Sequence, residues 1–177
     1  MIRHNVPPPV SRVPGFHSVG ELVLAIVLVV GLVPLALYYL FYDLGNPLLQ
    51  PYPWRQAQTA LTIRSFFEEG IGFFRYPTTM NGELWNFTRE FPLYQVAVAV
   101  LMYLGVGLEV ASRLVGIASF VAAIYYLGRL VAHFFGPRTG LWSVLLYFTL
   151  PFCTVFARAC MTDFMVQAFT LAFLFHT

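Results

Sequence analysis

The sequence predicts an all-α, polytopic membrane protein with about four transmembrane helices and with interfacial helices in its first extracytoplasmic loop. Of the 177 residues, 59% are hydrophobic and only 10% are charged, and the mean hydropathy is +0.72. Soluble domains do not have this balance. The run from Leu22 to Tyr39 contains no charged residue. It continues as apolar sequence to about Tyr42, so it supplies the roughly 20 residues that cross a bilayer.

The N-terminal part of the chain divides into a tail and a first span. Residues 1–20 contain a run of prolines with Arg3 and Arg12, a composition that cannot bury a core, and we interpret them as a disordered cytoplasmic tail. Residues 21–43 are the first transmembrane helix. No small-residue cleavage site follows Tyr42, which favours a retained span over a signal peptide.

Residues 44–108 are predicted to form an extracytoplasmic loop, which begins where prolines end the first helix. From Trp54 to Glu69 the pattern is helical, with apolar side chains at Trp54, Ala57 and Leu61. The predicted polar face consists of Arg55, Gln58, Thr59, Thr62 and Glu69. This pattern is typical of a helix that lies in the membrane interface.

The apolar stretch from Phe91 to Gly107 decides the topology. It has only about 16 residues, or roughly 24 Å of helix, which is short for a span. If it crosses the membrane, Arg158 and Asp163 lie on the cytoplasmic side. If it lies flat, Arg138 and its basic neighbours lie in the cytoplasm, as the positive-inside rule prefers, and Asp163 joins the loop. We favour the flat arrangement.

Residues 109–177 are predicted to contain three further transmembrane helices. The apolar runs are Val110 to Val131, Leu141 to Ala157 and Phe164 to Phe175. The last run ends without flanking charge, so we expect it to be truncated and the chain to be the N-terminal portion of a longer protein. On its own such a portion is expected to be inactive.

Ionisable side chains near membrane depth are functional candidates because burying them is costly. Glu90 and Asp163 offer carboxylates that could act as a general base or hold a cation. Three arginines, Arg55, Arg113 and Arg158, have the guanidinium geometry that matches phosphate oxygens. In the alternative interpretation, Arg158 and Asp163 only pair with each other or extend to the interface.

An ordered set of motifs resembles a known family. The set comprises the first span, Trp54-Arg55-Gln56 with Thr59-Ala60, Glu90-Phe91-Pro92-Leu93, Ala111-Ser112-Arg113-Leu114, and Arg158-Ala159 with Met161 and Asp163. This order resembles the N-terminal part of the GT-C-fold glycosyltransferases. The similarity is greatest to the superfamily that holds the dolichyl-phosphate-mannose protein mannosyltransferases and the aminoarabinose transferases of lipid A.

The resemblance implies an enzyme of the cell envelope, embedded in the inner or plasma membrane. Such an enzyme transfers a sugar from a polyprenyl-phosphate donor to a lipid, glycan or protein acceptor. It also implies interfacial helices over the active site, acceptor or sugar contacts at Trp54, Gln58 and Tyr94, and donor-phosphate contacts at Arg55, Arg113 and Arg158. Relatives often carry an acidic residue in the first loop helix, whereas residues 54–60 contain none. The catalytic role therefore passes to Glu90 and Asp163.

Other classes fit the pattern less well. A transporter or flippase fragment could line a path with the same charges, but no internal repeat is visible. A noncatalytic assembly subunit has weak support from small residues of one span. The dispersed arginines do not indicate a nucleic-acid partner. Cys153 and Cys160 have no accompanying ligand cluster, so no metal site is predicted, although a divalent cofactor stays an open alternative.

Overall fold

The computed structural model describes residues 19–48, 53–73, 77–80, 83–86 and 91–177. These residues are mostly helical, as predicted. Their helices and strands, in chain order, are α1 (Val19–Ile26), a π-helical segment (Val27–Leu32), α2 (Val33–Phe41), α3 (Pro53–Glu69), β1 (Pro77–Met80), β2 (Glu83–Asn86), α4 (Leu93–Tyr103), α5 (Leu108–Phe135), α6 (Pro137–Thr149), α7 (Pro151–Ala157) and α8 (Asp163–His176). Most of the predicted N-terminal tail lies outside the described residues.

The first span is one helix, Val19–Phe41, with a wide π-helical turn in its middle. The turn directly precedes Pro34, near the start of α2. Proline has no N–H to donate to the carbonyl group four residues earlier, and its ring crowds that carbonyl. A π-helical turn before the proline relieves this conflict without ending the helix.

Among the described residues, two helices are long and apolar enough to cross a membrane, Val19–Phe41 and Leu108–Phe135. A third candidate exists if α6 and α7 together form one bent span. These helices support an integral membrane protein. α8 is a shorter apolar helix, so the fourth predicted span stays a prediction.

α6 and α7 meet at an angle of 66°, where the sequence pattern predicted one continuous span from Leu141 to Ala157. The break is at Leu150, whose backbone is extended, with a ψ of 120°. Pro151 follows it as the first residue of α7. A residue before proline is driven out of the helical region, and proline cannot donate to the preceding turn. The predicted span from Leu141 to Ala157 is therefore bent, and it crosses the membrane only if α6 and α7 do so together.

The packing contacts give the relative directions of the helices. At one end, Arg113 near the start of α5 donates to the carbonyl oxygens of Asp43 and Asn46, just after the first span. At the other end, Arg138 and Trp142 of α6 donate to Glu21 near the start of the first span. The first span and α5 therefore run antiparallel, and the chain between them leaves and returns at the same end.

α3 and α4 lie in the connection between the first span and α5. α4 spans Leu93–Tyr103, so it is only about 16 Å long at 1.5 Å per residue. α3 begins within one residue of its predicted start, but its predicted faces differ from the structure. Thr59 and Thr62, expected on the polar surface, are buried, whereas Trp54 and Leu61 are exposed. The threonine hydroxyls donate to backbone carbonyls within α3, which makes their burial tolerable.

The loop also contains a small antiparallel hairpin that departs from the predicted all-α class. β1 pairs with β2 so that Pro77 lies opposite Asn86 and Met80 lies opposite Glu83. Asn81-Gly82 separates the strands in the sequence, and this dipeptide is typical of two-residue hairpin turns. The signal is present in the sequence, but its strands are too short for a clear alternating pattern.

Two clusters of buried side chains hold the described helices together. The loop cluster includes Ile63 and Phe66 of α3, Val98 of α4 and Ala111 of α5. The bundle cluster centres on Phe120 of α5, which is fully buried against Phe164 of α8, with ring centroids 4.9 Å apart. α8 runs in the same direction as α5, since Phe175 near its end lies beside Tyr126 and Arg129.

α5 and α6 approach each other closely at Gly140 of α6. A Cβ atom on Gly140 would lie 2.7 Å from the Cβ atom of Ala132 and 2.8 Å from the carbonyl oxygen of Gly128. Both distances are too short for ordinary van der Waals contact. The two backbones therefore depend on the absence of a side chain at position 140.

Gly140→Ala should reduce the free energy of unfolding by about 1–3 kcal/mol, because the added methyl group forces α5 and α6 apart. Gly31→Ala in the first span is the matched control, since nothing lies within 4 Å of its added Cβ. That control should be neutral or slightly stabilising. Unfolding in mixed detergent micelles measures both, and equal stability of the two variants would contradict the close approach.

Candidate functional site

Asp163 and Arg55 form an ion pair between α8 and α3, with 3.1 Å between Asp163 Oδ1 and Arg55 Nη2. Both side chains are about half exposed, at 47% and 54%. Asp163 is the first residue of α8, and a carboxylate is favoured at a helix N-terminus by the helix dipole. The structure thus brings together one predicted catalytic residue and one predicted phosphate ligand.

Gln56, the neighbour of Arg55, fixes the connection that carries Asp163. Its side chain is 1% exposed, and its Oε1 accepts the backbone N–H of Cys160 at 3.0 Å. Cys160 lies in the connection between α7 and α8, one residue after the last N–H that donates to a carbonyl group of α7, so its N–H needs a partner from another element. Gln56 therefore holds the predicted polar segment from Arg158 to Asp163 against α3.

A cavity of about 540 Å³ opens beside the ion pair. Its charged lining residues are Arg55 and Asp163, and its uncharged polar lining residues are Tyr147 and Gln167. The remaining wall is apolar and largely aromatic, formed by Phe152, Cys153, Phe156, Met161 and Phe164. An apolar pocket with a few convergent polar groups is the usual form of a small-molecule site.

Arg113 and Arg158 are engaged with the backbone that follows the first span. Arg113 donates to the carbonyl oxygens of Asp43 and Asn46, at 2.8 Å in each case. Arg158 donates to those of Tyr39, at 2.7 Å, and of Tyr42 and Asp43. Tyr39 lies in the last turn of the first span, where carbonyl groups have no partner within the helix, and Arg158 supplies one. The predicted phosphate role of both arginines therefore competes with a structural one.

Arg158 does not pair with Asp163. Its guanidinium carbon lies 5.3 Å from the ring centroid of Tyr39, in a cation–π arrangement, while Asp163 pairs with Arg55. The alternative interpretation, in which Arg158 and Asp163 satisfy each other, is therefore wrong. Arg113 is 5% exposed and Arg158 is half-buried, so Arg55 is the most accessible of the three candidate arginines.

The three predicted sugar contacts have different surroundings. Trp54 is 61% exposed, one residue from Arg55, and Gln58 is half-buried one turn further along α3. Tyr94 is only 1% exposed, and its hydroxyl group donates to the Ser112 carbonyl oxygen at 2.8 Å. Burial raises the pKa of Tyr94 well above its ordinary value. The structure places Tyr94 in the loop cluster rather than at the surface.

Cys160 is buried near Tyr94, and burial raises the pKa of its thiol to about 11. The thiol therefore stays protonated and unreactive at neutral pH. The second predicted catalytic residue, Glu90, lies outside the described residues. Within the described part of the chain, no group of three or more histidine, cysteine, aspartate or glutamate side chains could hold a metal ion.

The sequence patterns did not indicate Tyr147 or Gln167. Gln56 belonged to the motif Trp54-Arg55-Gln56 that carried the family resemblance, but its bond to the Cys160 N–H was not predicted. Gln167 follows Asp163 by four residues, so both share one face of α8. Tyr147 has no sequence signal, because its contact with Gln167 depends on how α6 packs against α8.

Comparisons with protein-family models, with curated proteins and with solved structures found no match to this chain. The local chemistry of the site therefore carries the functional argument.

Replacing Arg113 by methionine should lower the free energy of unfolding by about 2–3 kcal/mol, because it removes two charge-assisted hydrogen bonds that join α5 to the backbone after the first span. Arg64→Met is the control, since Arg64 makes only an exposed i, i+4 ion pair with Glu68. Such pairs contribute little. Thermal unfolding in detergent reports both effects. A destabilisation no larger than that of Arg64→Met would show that Arg113 does not hold the first span.

Proposed function

We propose that this chain belongs to a membrane glycosyltransferase that transfers a sugar from a polyprenyl-phosphate donor to an extracytoplasmic acceptor. The observation that carries the proposal is the Arg55–Asp163 pair at an apolar cavity of about 540 Å³. A lipid-linked phosphate sugar has an anionic phosphate, a polar ring and an apolar chain. The cavity and its rim offer a complementary group to each part.

The ion pair supplies both charges that glycosyl transfer needs. The Arg55 guanidinium group can bind the donor phosphate and stabilise the charge that develops on it as the glycosidic bond breaks. Asp163 can orient the acceptor hydroxyl group and take its proton. Because the pair is half exposed, its contribution to stability is small, and either member can exchange its partner for a substrate at little cost.

Arg55→Gln should weaken donor binding, and Asp163→Asn should lower the transfer rate by about 10²- to 10⁴-fold, as expected for loss of a general base. The assay follows labelled sugar from polyprenyl-phosphate donors in membranes that contain the protein. Arg64→Gln and Glu69→Gln are matched controls on the same helix, and both should retain full activity. Glu90→Gln tests the second predicted carboxylate in the same assay. Undiminished transfer by Asp163→Asn would contradict its catalytic role.

For the topology, we propose a cytoplasmic N-terminus and an extracytoplasmic site. Two observations support this. α4 is too short to cross the membrane, and the contacts of Arg113 bring the start of α5 to the end of the first span. The opposite end then carries Arg129, His133 and Arg138, which the positive-inside rule places in the cytoplasm.

Single cysteines at positions 137 and 163 test this topology in a background without Cys153 and Cys160. Asp163→Cys should react with a membrane-impermeant maleimide added to intact cells, because Asp163 is half exposed on the proposed outer side. Pro137→Cys should react only after the membrane is opened. Reaction of both positions from the same side would contradict the proposed arrangement.

A further inference from the structure

Two uncharged polar side chains lie in the cavity beyond the ion pair. The Tyr147 hydroxyl group donates to Gln167 Oε1 at 2.6 Å, and both side chains line the cavity. Gln167 lies four residues after Asp163 on α8, which places it about 6 Å further along the helix axis. The cavity lining therefore has a charged part at Arg55 and Asp163 and a neutral polar part about one helical turn further along α8.

This neutral patch has unused hydrogen-bonding capacity. A glutamine amide has two N–H donors besides its carbonyl oxygen. Among the described residues, the Gln167 amide nitrogen has no acceptor, and its oxygen is occupied by Tyr147. Polar groups near membrane depth are costly when unsatisfied. A ligand that brings acceptors to the Gln167 N–H groups would satisfy this amide.

The surrounding wall restricts the kind of ligand. Phe152 and Phe156 line the same cavity, with ring centroids 4.3 Å apart. Aromatic faces favour a flat apolar surface. Within the described lining, the charged groups are confined to Arg55 and Asp163. A second charged group on the ligand would therefore have no oppositely charged partner beside Gln167. An uncharged ring with hydroxyl groups fits both the aromatic faces and the polar patch.

We propose that Tyr147 and Gln167 form a subsite that binds the neutral sugar ring of the lipid-linked donor. This inference rests on the proposed function, since it assumes that the donor phosphate is bound at Arg55. Gln167 recognises ring hydroxyl groups, Tyr147 orients the Gln167 amide, and Phe152 and Phe156 contact the apolar face of the ring.

Equilibrium binding to the chain in lipid nanodiscs tests the subsite. The probes are tritiated farnesyl phosphate and its glucosyl, mannosyl and galactosyl esters. At least one hexosyl probe should bind the wild-type chain more tightly than farnesyl phosphate does. Gln167→Leu should weaken that binding by about 10- to 100-fold, as expected for loss of hydrogen bonds to substrate hydroxyl groups. It should leave farnesyl phosphate binding unchanged.

Tyr147→Phe keeps the ring beside Phe120 and should produce a smaller loss in the same direction. Thr170→Val is the matched control on α8, because Thr170 lies outside this cavity and its hydroxyl group bonds to the Val166 carbonyl oxygen. Thr170→Val should change neither the affinity for farnesyl phosphate nor the affinity for its hexosyl esters. Arg55→Gln should weaken the binding of all four probes, which separates the phosphate contact from the sugar contact.

The failures of the two proposals are distinguishable. If farnesyl phosphate binds through Arg55 but no hexosyl probe binds more tightly, the subsite is overturned and the donor site survives. The subsite is also overturned if Gln167→Leu weakens all four probes equally. If no probe binds the wild-type chain, both the proposed donor site and the subsite are overturned.

Discussion

Two guanidinium groups meet at the carbonyl oxygen of Asp43, and the arrangement of the described helices depends on that junction. Arg113 comes from the start of α5 and Arg158 from the connection between α7 and α8. Asp43 has a positive φ of 46°, so the chain turns sharply there and presents its carbonyl group to both. Three parts of the chain are thereby joined at one end of the bundle. Arg158 lies between α7 and α8, so the junction also fixes the start of the connection to α8, whose first residue, Asp163, lines the cavity.

The polar contacts divide into structural and exchangeable ones according to burial. Gln56 and Arg113 are almost fully buried and bonded to backbone groups. Losing Gln56 would leave the buried Cys160 N–H without its acceptor, and losing Arg113 would remove the bonds between α5 and the end of the first span. Arg55 and Asp163 are half exposed and bonded to each other. Contacts of Arg113 and Gln56 with the backbone thus stabilise the fold, while the accessible Arg55 and Asp163 can bind a ligand. In α3, Arg55 is therefore accessible to a ligand, whereas its neighbour Gln56 has a structural role.

Composition and apolar run length were enough to predict the helical membrane class, the first span and the long α5. They were also enough to single out Asp163 and Arg55, because charges are rare in this sequence. The buried face of α3 was not predictable from polarity, since Thr59 and Thr62 satisfy their hydroxyl groups within the helix and can be buried. The structural bonds of Arg158 depend on the position of the first span in space. Local sequence does not contain that information.

The break between α6 and α7 has a consequence for size. Tyr147 precedes the break, Phe152 and Phe156 follow it, and all three line the same cavity. A helix that continued straight through Leu150 would carry the two phenylalanines in a different direction and close or widen the space beside α8. The angle between α6 and α7 therefore determines the size of ligand that the cavity can hold. The missing N–H group of Pro151 therefore affects the size of the cavity and of any molecule that binds in it.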